Sequence, residues 1–155
     1  MEQVNAYEAP QTDLEVVDDA NLASQGKRFG TLILDTIFYL IYSVIIGVIL
    51  GIVLAMTDNM AFLEVLAKPI PNFLFGIFLV TSYYIPQEVL WGRTVAKMIL
   101  GTKVVDEEGN KPKASAIIIR TFARFIPFEA FSFLYADGAK GWHDRFSKTK
   151  VISTK

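Results

Sequence analysis

Between Phe29 and Met56 the chain carries one charged residue, Asp35. A segment this apolar has few places to go. About 20 apolar residues cross the hydrocarbon core of a bilayer, and only a helix satisfies its own backbone there. The stretch predicts a first transmembrane helix over about 29–56, long enough to tilt. Lys27 and Arg28 stand at its entrance, and Ser24 before them is a good N-cap. Arg28 and Asp35 are seven residues apart, close to two turns, so they share a helix face about 10 Å apart along the axis.

A second span is predicted over about 70–90. Pro69 and Pro71 suit its first turn, and Pro86 should kink its far end. Tyr83, Tyr84 and Trp91 fit an interfacial aromatic belt. Gly47 and Gly51 form a GxxxG spacing that would admit a close helix neighbour, either the second span or another subunit. Residues 92–100 (GRTVAKMIL) read as a short amphipathic helix in the headgroup region, anchored by Trp91, Arg93 and Lys97. Thr102–Asp106 (TKVVD) and Thr149–Ser153 (TKVIS) nearly repeat each other and are expected to pair as a small sheet.

Residues 114–135 are harder to place. They are apolar but contain Arg120, Arg124 and Glu129, with Pro127 as a break. A charge at a helix centre costs about 2.5–3.5 kcal/mol on insertion scales. Loop 91–113 and tail 136–155 each hold five Lys or Arg, which places both on the cytoplasmic side. A full third crossing would separate them, so a re-entrant hairpin bent at Pro127 is favoured over a span. The expected fold is therefore an α-helical membrane protein with two transmembrane helices. To these it adds a charged, proline-broken third membrane segment, an interfacial helix and a two-stranded cytoplasmic β element. Residues 1–22 form an acidic tail expected to be disordered, either solvated or a docking peptide, and 23–155 form one membrane domain.

The net charge of −1 hides an asymmetry: residues 1–68 sum to −6 and residues 69–155 to +5. Bases next to membrane segments fit anionic lipid rather than nucleic acid. The absence of cysteine removes disulfides, thiolate metal sites and cysteine catalysis. Residues 1–26, with six acids, no base and no apolar core, lack the form of a cleavable signal peptide. No nucleophile stands in a recognisable catalytic motif, so no enzyme activity, cofactor or metal site is expected. His143 is the only histidine.

Four pieces of the chain, in order, resemble the RDD family of bacterial membrane proteins. LASQGKRFGTLILD (22–35) is similar to its opening pattern and matches the family arginine to Arg28 and the first aspartate to Asp35. GRTVAKMILGTKVVDEEG (92–109) is similar to the middle pattern, and RTFARFIP (120–127) to the arginine-rich helix that follows. GWHDRFSKTKVI (141–152) matches the second aspartate to Asp144. The alanine that often follows the first arginine is here Gly30 or Thr31. The resemblance implies a multi-helix bacterial membrane protein, expected in the inner membrane, and some members are linked to sodium–proton exchange; the charge rule puts both termini on the cytoplasmic side.

Two functions are compatible with this reading. One is a structural or adaptor role in a membrane complex. The other is a small cation/proton exchanger, as a homo-oligomer, using Asp35. In both, Asp35 is expected to pair with Arg28, Arg120 or Arg124. Asp144 is expected to be a shallow N-cap or salt-bridge partner.

Overall fold

The computed structural model describes residues 21–129, 132 and 140–154. Helix α1 (Gln25–Met56) and helix α3 (Pro69–Trp91) are the long elements. Their mean hydropathies over the most apolar window are 2.8 and 1.3, and only 6% and 17% of those windows are buried. A core helix of a soluble protein would be mostly covered. These two are apolar and bare, long enough to cross a membrane. The short helix α2 (Ala61–Leu66) joins them and buries nothing.

Helix α1 starts four residues before the apolar run, because the Ser24 hydroxyl accepts from the Lys27 amide at 3.3 Å. Helix α3 begins with proline in its first turn and continues through Pro86 to Trp91. It stops at Gly92, which takes φ +66°, a left-handed cap that costs glycine little. The two helices meet through tyrosines: Tyr83 packs on Tyr39 and Tyr42, and the Tyr42 hydroxyl donates to Ser82 Oγ at 3.0 Å. Gly47 and Gly51 have nothing within 4 Å of where a Cβ would stand, so α3 is not the neighbour that the GxxxG spacing would admit.

Helix α4 (Val95–Ile99) follows, N-capped by Thr94. Strand β1 (Thr102–Asp106) and strand β2 (Thr149–Ser153) pair antiparallel, with Thr102 opposite Ser153 and Asp106 opposite Thr149. The repeated strands thus do form a sheet. It has an addition that the sequence reading placed in the tail: Leu22 bridges Ile152, and the Ala23 amide donates to the Val151 carbonyl at 2.9 Å. Ala23, Val104 and Val151 make a small core there. The Val104 amide also donates to the Gly92 carbonyl at 3.0 Å. The start of α1, the end of α3 and both strands therefore sit at one end of the molecule.

Helix α5 (Ala114–Ala123) and helix α6 (Trp142–Phe146) complete the cap. Ten residues of α5 rise about 15 Å, half a bilayer core. The helix ends at Ala123, and i→i−3 bonds carry the turn on to Ile126, directly before Pro127, which has no N–H for the Ala123 carbonyl. Most of the expected third segment beyond Glu129, and residues 1–20 of the tail, lie outside the described residues.

Candidate functional site

A set of charged side chains in the cap is turned away from water. Glu88, in the last turn of α3, is fully buried. It bonds Lys97 Nζ, and it lies 3.4 Å from Arg124 Nη2 and 3.5 Å from Arg120 Nε. Arg120 continues the chain of charge: its Nη1 bonds Asp144 Oδ1 and donates to Thr149 Oγ1 at 3.0 Å. Asp144 Oδ2 accepts from Arg28 Nη1 at 2.6 Å and from the Gly141 amide at 3.1 Å. One relay thus runs from α1 through α6 and α5 to α3 and α4. The links at Asp144 and between Lys97 and Glu88 are charge-assisted hydrogen bonds away from solvent, and Arg120 meets Glu88 as an ion pair at 3.5 Å, so removing either carboxylate leaves buried cations short of negative charge.

A second pair closes the cap. His143 Nδ1 bonds Glu129 Oε1, which also accepts from the His143 amide at 3.2 Å. Burial, with Arg120 adding to it, pushes His143 below its ordinary value, so a neutral ring donates Nδ1–H to the carboxylate. Burial acts to raise Glu129, but the hydrogen bond from His143 outweighs it. Burial likewise opposes ionisation of Asp144, and Arg120 with Arg28 overcomes it, holding the carboxyl far below its usual range. Burial pushes Lys97 down to about 8, against the pull of Glu88.

Both depressed carboxyls have the same sign of linkage. Their stabilisation is complete above the ordinary values near 4 and is lost as pH falls below them. The cap should therefore loosen below about pH 4 while the long helices persist. Amide exchange of Ala23 and Val104 against that of α1 would measure it; equal protection of these amides at neutral and acid pH would refute it.

Several expectations need correction. Asp35 is 2% exposed, as a membrane aspartate should be, yet it joins none of the ion pairs among the described residues. Its Oδ2 accepts from Thr94 Oγ1 at 3.0 Å, and its Oδ1 has no hydrogen-bond partner among the described residues. Arg28, two turns nearer the entrance, is drawn to Asp144 instead. Arg120 is spent on Asp144 and Glu88, and Arg124 lies 4.2 Å over the Tyr84 ring. Asp144 is 1% exposed rather than shallow, because two arginines from different elements close over it.

Lys97 is 3% exposed and is not a surface anchor. The polarity of α4 is inverted relative to a helix resting on a membrane from above: the charged face turns in to Glu88, and Val95, Met98 and Ile99 are exposed. Trp91 is exposed and Arg93 half-buried. Sequence reading missed Glu88 as the hub. Its signal was a lone carboxylate ending an apolar span before a basic run.

A half-enclosed cavity of about 290 Å³ lies against the relay. Its charged lining is Arg28, Asp35, Lys97, Arg120, Arg124 and Glu129, and its apolar lining includes Leu32, Tyr39, Val80 and Phe125. Counting Glu88 and Asp144, which bond these cations, four cations face four carboxylates. The RDD family model matches residues 22–148. No curated protein and no solved structure matches the chain.

Proposed function

The chain belongs to the RDD family, and from that premise we propose that it is a non-enzymatic membrane module that builds a rigid cytoplasmic cap for a larger membrane complex. The observation that carries this is the use to which two of the three signature residues are put. Arg28 and Asp144 bond each other and lock the cap to the entrance of α1. A buried relay tying five elements together supports a structural use, in which it specifies one arrangement of the cap. The sheet, extended by Leu22, then offers its surface and the acidic tail beyond it to a partner.

The bacterial inner membrane, with both termini inside, is part of the proposal. The basic residues of loop 91–113 and tail 136–155 support it. The pairing of β1 with β2 supports a returning segment between them, since both strands must lie on one side.

The specific observation favouring the second reading, a cation/proton exchanger, is Asp35 with its unpaired Oδ1. A buried acid without a fixed cation can trade a proton for one. Asp35→Asn separates the two. For a cap module, the variant should reach the wild-type membrane level and keep a stoichiometric co-purifying partner. Cation-driven proton flux in proteoliposomes that vanishes in Asp35→Asn would replace the cap reading with the exchanger.

A further inference from the structure

Three residues lining the cavity carry a buried polar atom with no hydrogen-bond partner among the described residues: Asp35 Oδ1, Arg120 Nε and Arg124 Nε. Arg120 Nε still has Glu88 Oε2 at 3.5 Å, which leaves Asp35 Oδ1 and Arg124 Nε unfinished. Both residues line the cavity. Unmet groups of this kind cost free energy unless something completes them. One is an acceptor, or a donor once protonated; the other is a fixed cationic donor. An oxyanion between them suits Arg124 at once and suits Asp35 only with a proton.

The charge balance makes the same demand. The cavity is neutral when Asp35 is ionised. An anion alone would leave an excess negative charge beside Asp35. A metal cation on Asp35 would leave an excess positive charge beside Lys97 and Arg124, the two cations with the largest electrostatic influence on it. Glu88, Tyr83 and Tyr84 face it from α3; the Tyr83 hydroxyl, itself without a hydrogen-bond partner at full geometry among the described residues, is a neutral donor beside Asp35, and none of the three supplies a compensating positive charge. An anion that arrives with one proton leaves the total unchanged.

The walls indicate what carries the anion. Leu32, Tyr39 and Val80 are only half-buried, so the apolar side of the cavity continues onto the outer faces of the two long helices. At about 30 Å³ per water-sized unit, the volume holds roughly ten non-hydrogen atoms. That is a head group and its first carbons, with a tail left along the helices.

We infer that this cavity binds the phosphate head of an anionic phospholipid and that Asp35 takes up one proton as it binds. The lipid would bridge α1 and the residues after α5, so occupancy would report bilayer charge and pH to the cap. This goes beyond the cap reading and does not rest on it.

The test is native mass spectrometry of the full chain released from neutral-detergent micelles carrying phosphatidylglycerol, with phosphatidylcholine as control. Phosphatidylglycerol does not titrate near neutrality, so any pH dependence belongs to the protein. One phosphatidylglycerol per chain is expected, with affinity rising about tenfold per pH unit as pH falls from about 7 toward 6, below the range near 8 in which Lys97 gains its own proton. Asp35→Asn keeps the Thr94 hydrogen bond and should retain the lipid equally at both ends of that range. Arg124→Gln should lose it at both. Retention by the wild-type chain that ignores pH, or equal retention of phosphatidylcholine, would overturn the inference. Displacement by millimolar inorganic phosphate would overturn the assignment to lipid in favour of a free anion. Should Arg124→Gln fail to fold, Asp35→Asn alone decides, since loss of its pH dependence is required.

Discussion

Asp144→Asn is expected to cost roughly 3–5 kcal/mol of stability, the range for removing one partner from a buried ion pair. The substitution keeps the shape and an oxygen for the Gly141 amide. Among the described residues, it removes the only carboxylate that Arg28 pairs with and one of the two that Arg120 pairs with. Two guanidiniums then lie buried with too little negative charge. Arg28→Met should cost less, because Asp144 would still be held by Arg120. The ordering is as informative as the size. Urea unfolding in micelles, followed by Trp142 fluorescence, measures both. An Asp144→Asn protein as stable as wild type would mean that the relay is ornamental, and the cap reading would fall with it.

Glu88→Gln should have a comparable effect by a different route. Three cations converge on this carboxylate. Losing it leaves Lys97 fully buried without its partner. The pull that keeps Lys97 from falling further would be gone, so it should shed its proton near neutrality. A loss of roughly 3–5 kcal/mol is expected, partly restored by adding Lys97→Met, which removes the stranded amine while keeping its apolar stem. Amide exchange distinguishes the two lesions. Glu88→Gln should free α5 from α3, whereas Asp144→Asn should free β2 from the start of α1. Failure of Lys97→Met to recover any stability would show that the cost lies elsewhere in the hub.

Much of the framework was legible in one dimension. The two long helices follow from hydrophobic runs whose backbone has no alternative in lipid. Ser24 marks the start of the first by local chemistry, since a cap hydroxyl is decided within a few residues, whereas Gly92, expected to open the amphipathic helix, caps the second span instead. The strands were visible as a near-repeat, and their pairing was inferable because the charge rule put both on one side. The family residues Arg28, Asp35 and Asp144 were also identifiable. What they do was not.

The charge partners could not be read, and the reason is physical. A salt bridge depends on which side chains arrive within about 4 Å after the elements have packed. Helical spacing constrains only neighbours on one element, and it put Arg28 beside Asp35. The cap brought Asp144 to Arg28 from more than a hundred positions away. Amphipathicity marked the basic face of residues 92–100 but not its direction; that depended on Glu88, which reads alone as an interfacial acid. Composition and pattern by themselves determined that this chain has two helices able to cross a bilayer, a basic end and a small sheet. Only the tertiary structure decided that Arg28, Glu88, Lys97, Arg120 and Asp144 at that end face inward and pair with one another, leaving Asp35 and Arg124 unfinished beside a cavity. Hydrophobic burial is additive along a sequence, whereas the balance of buried charge belongs to a three-dimensional arrangement as a whole.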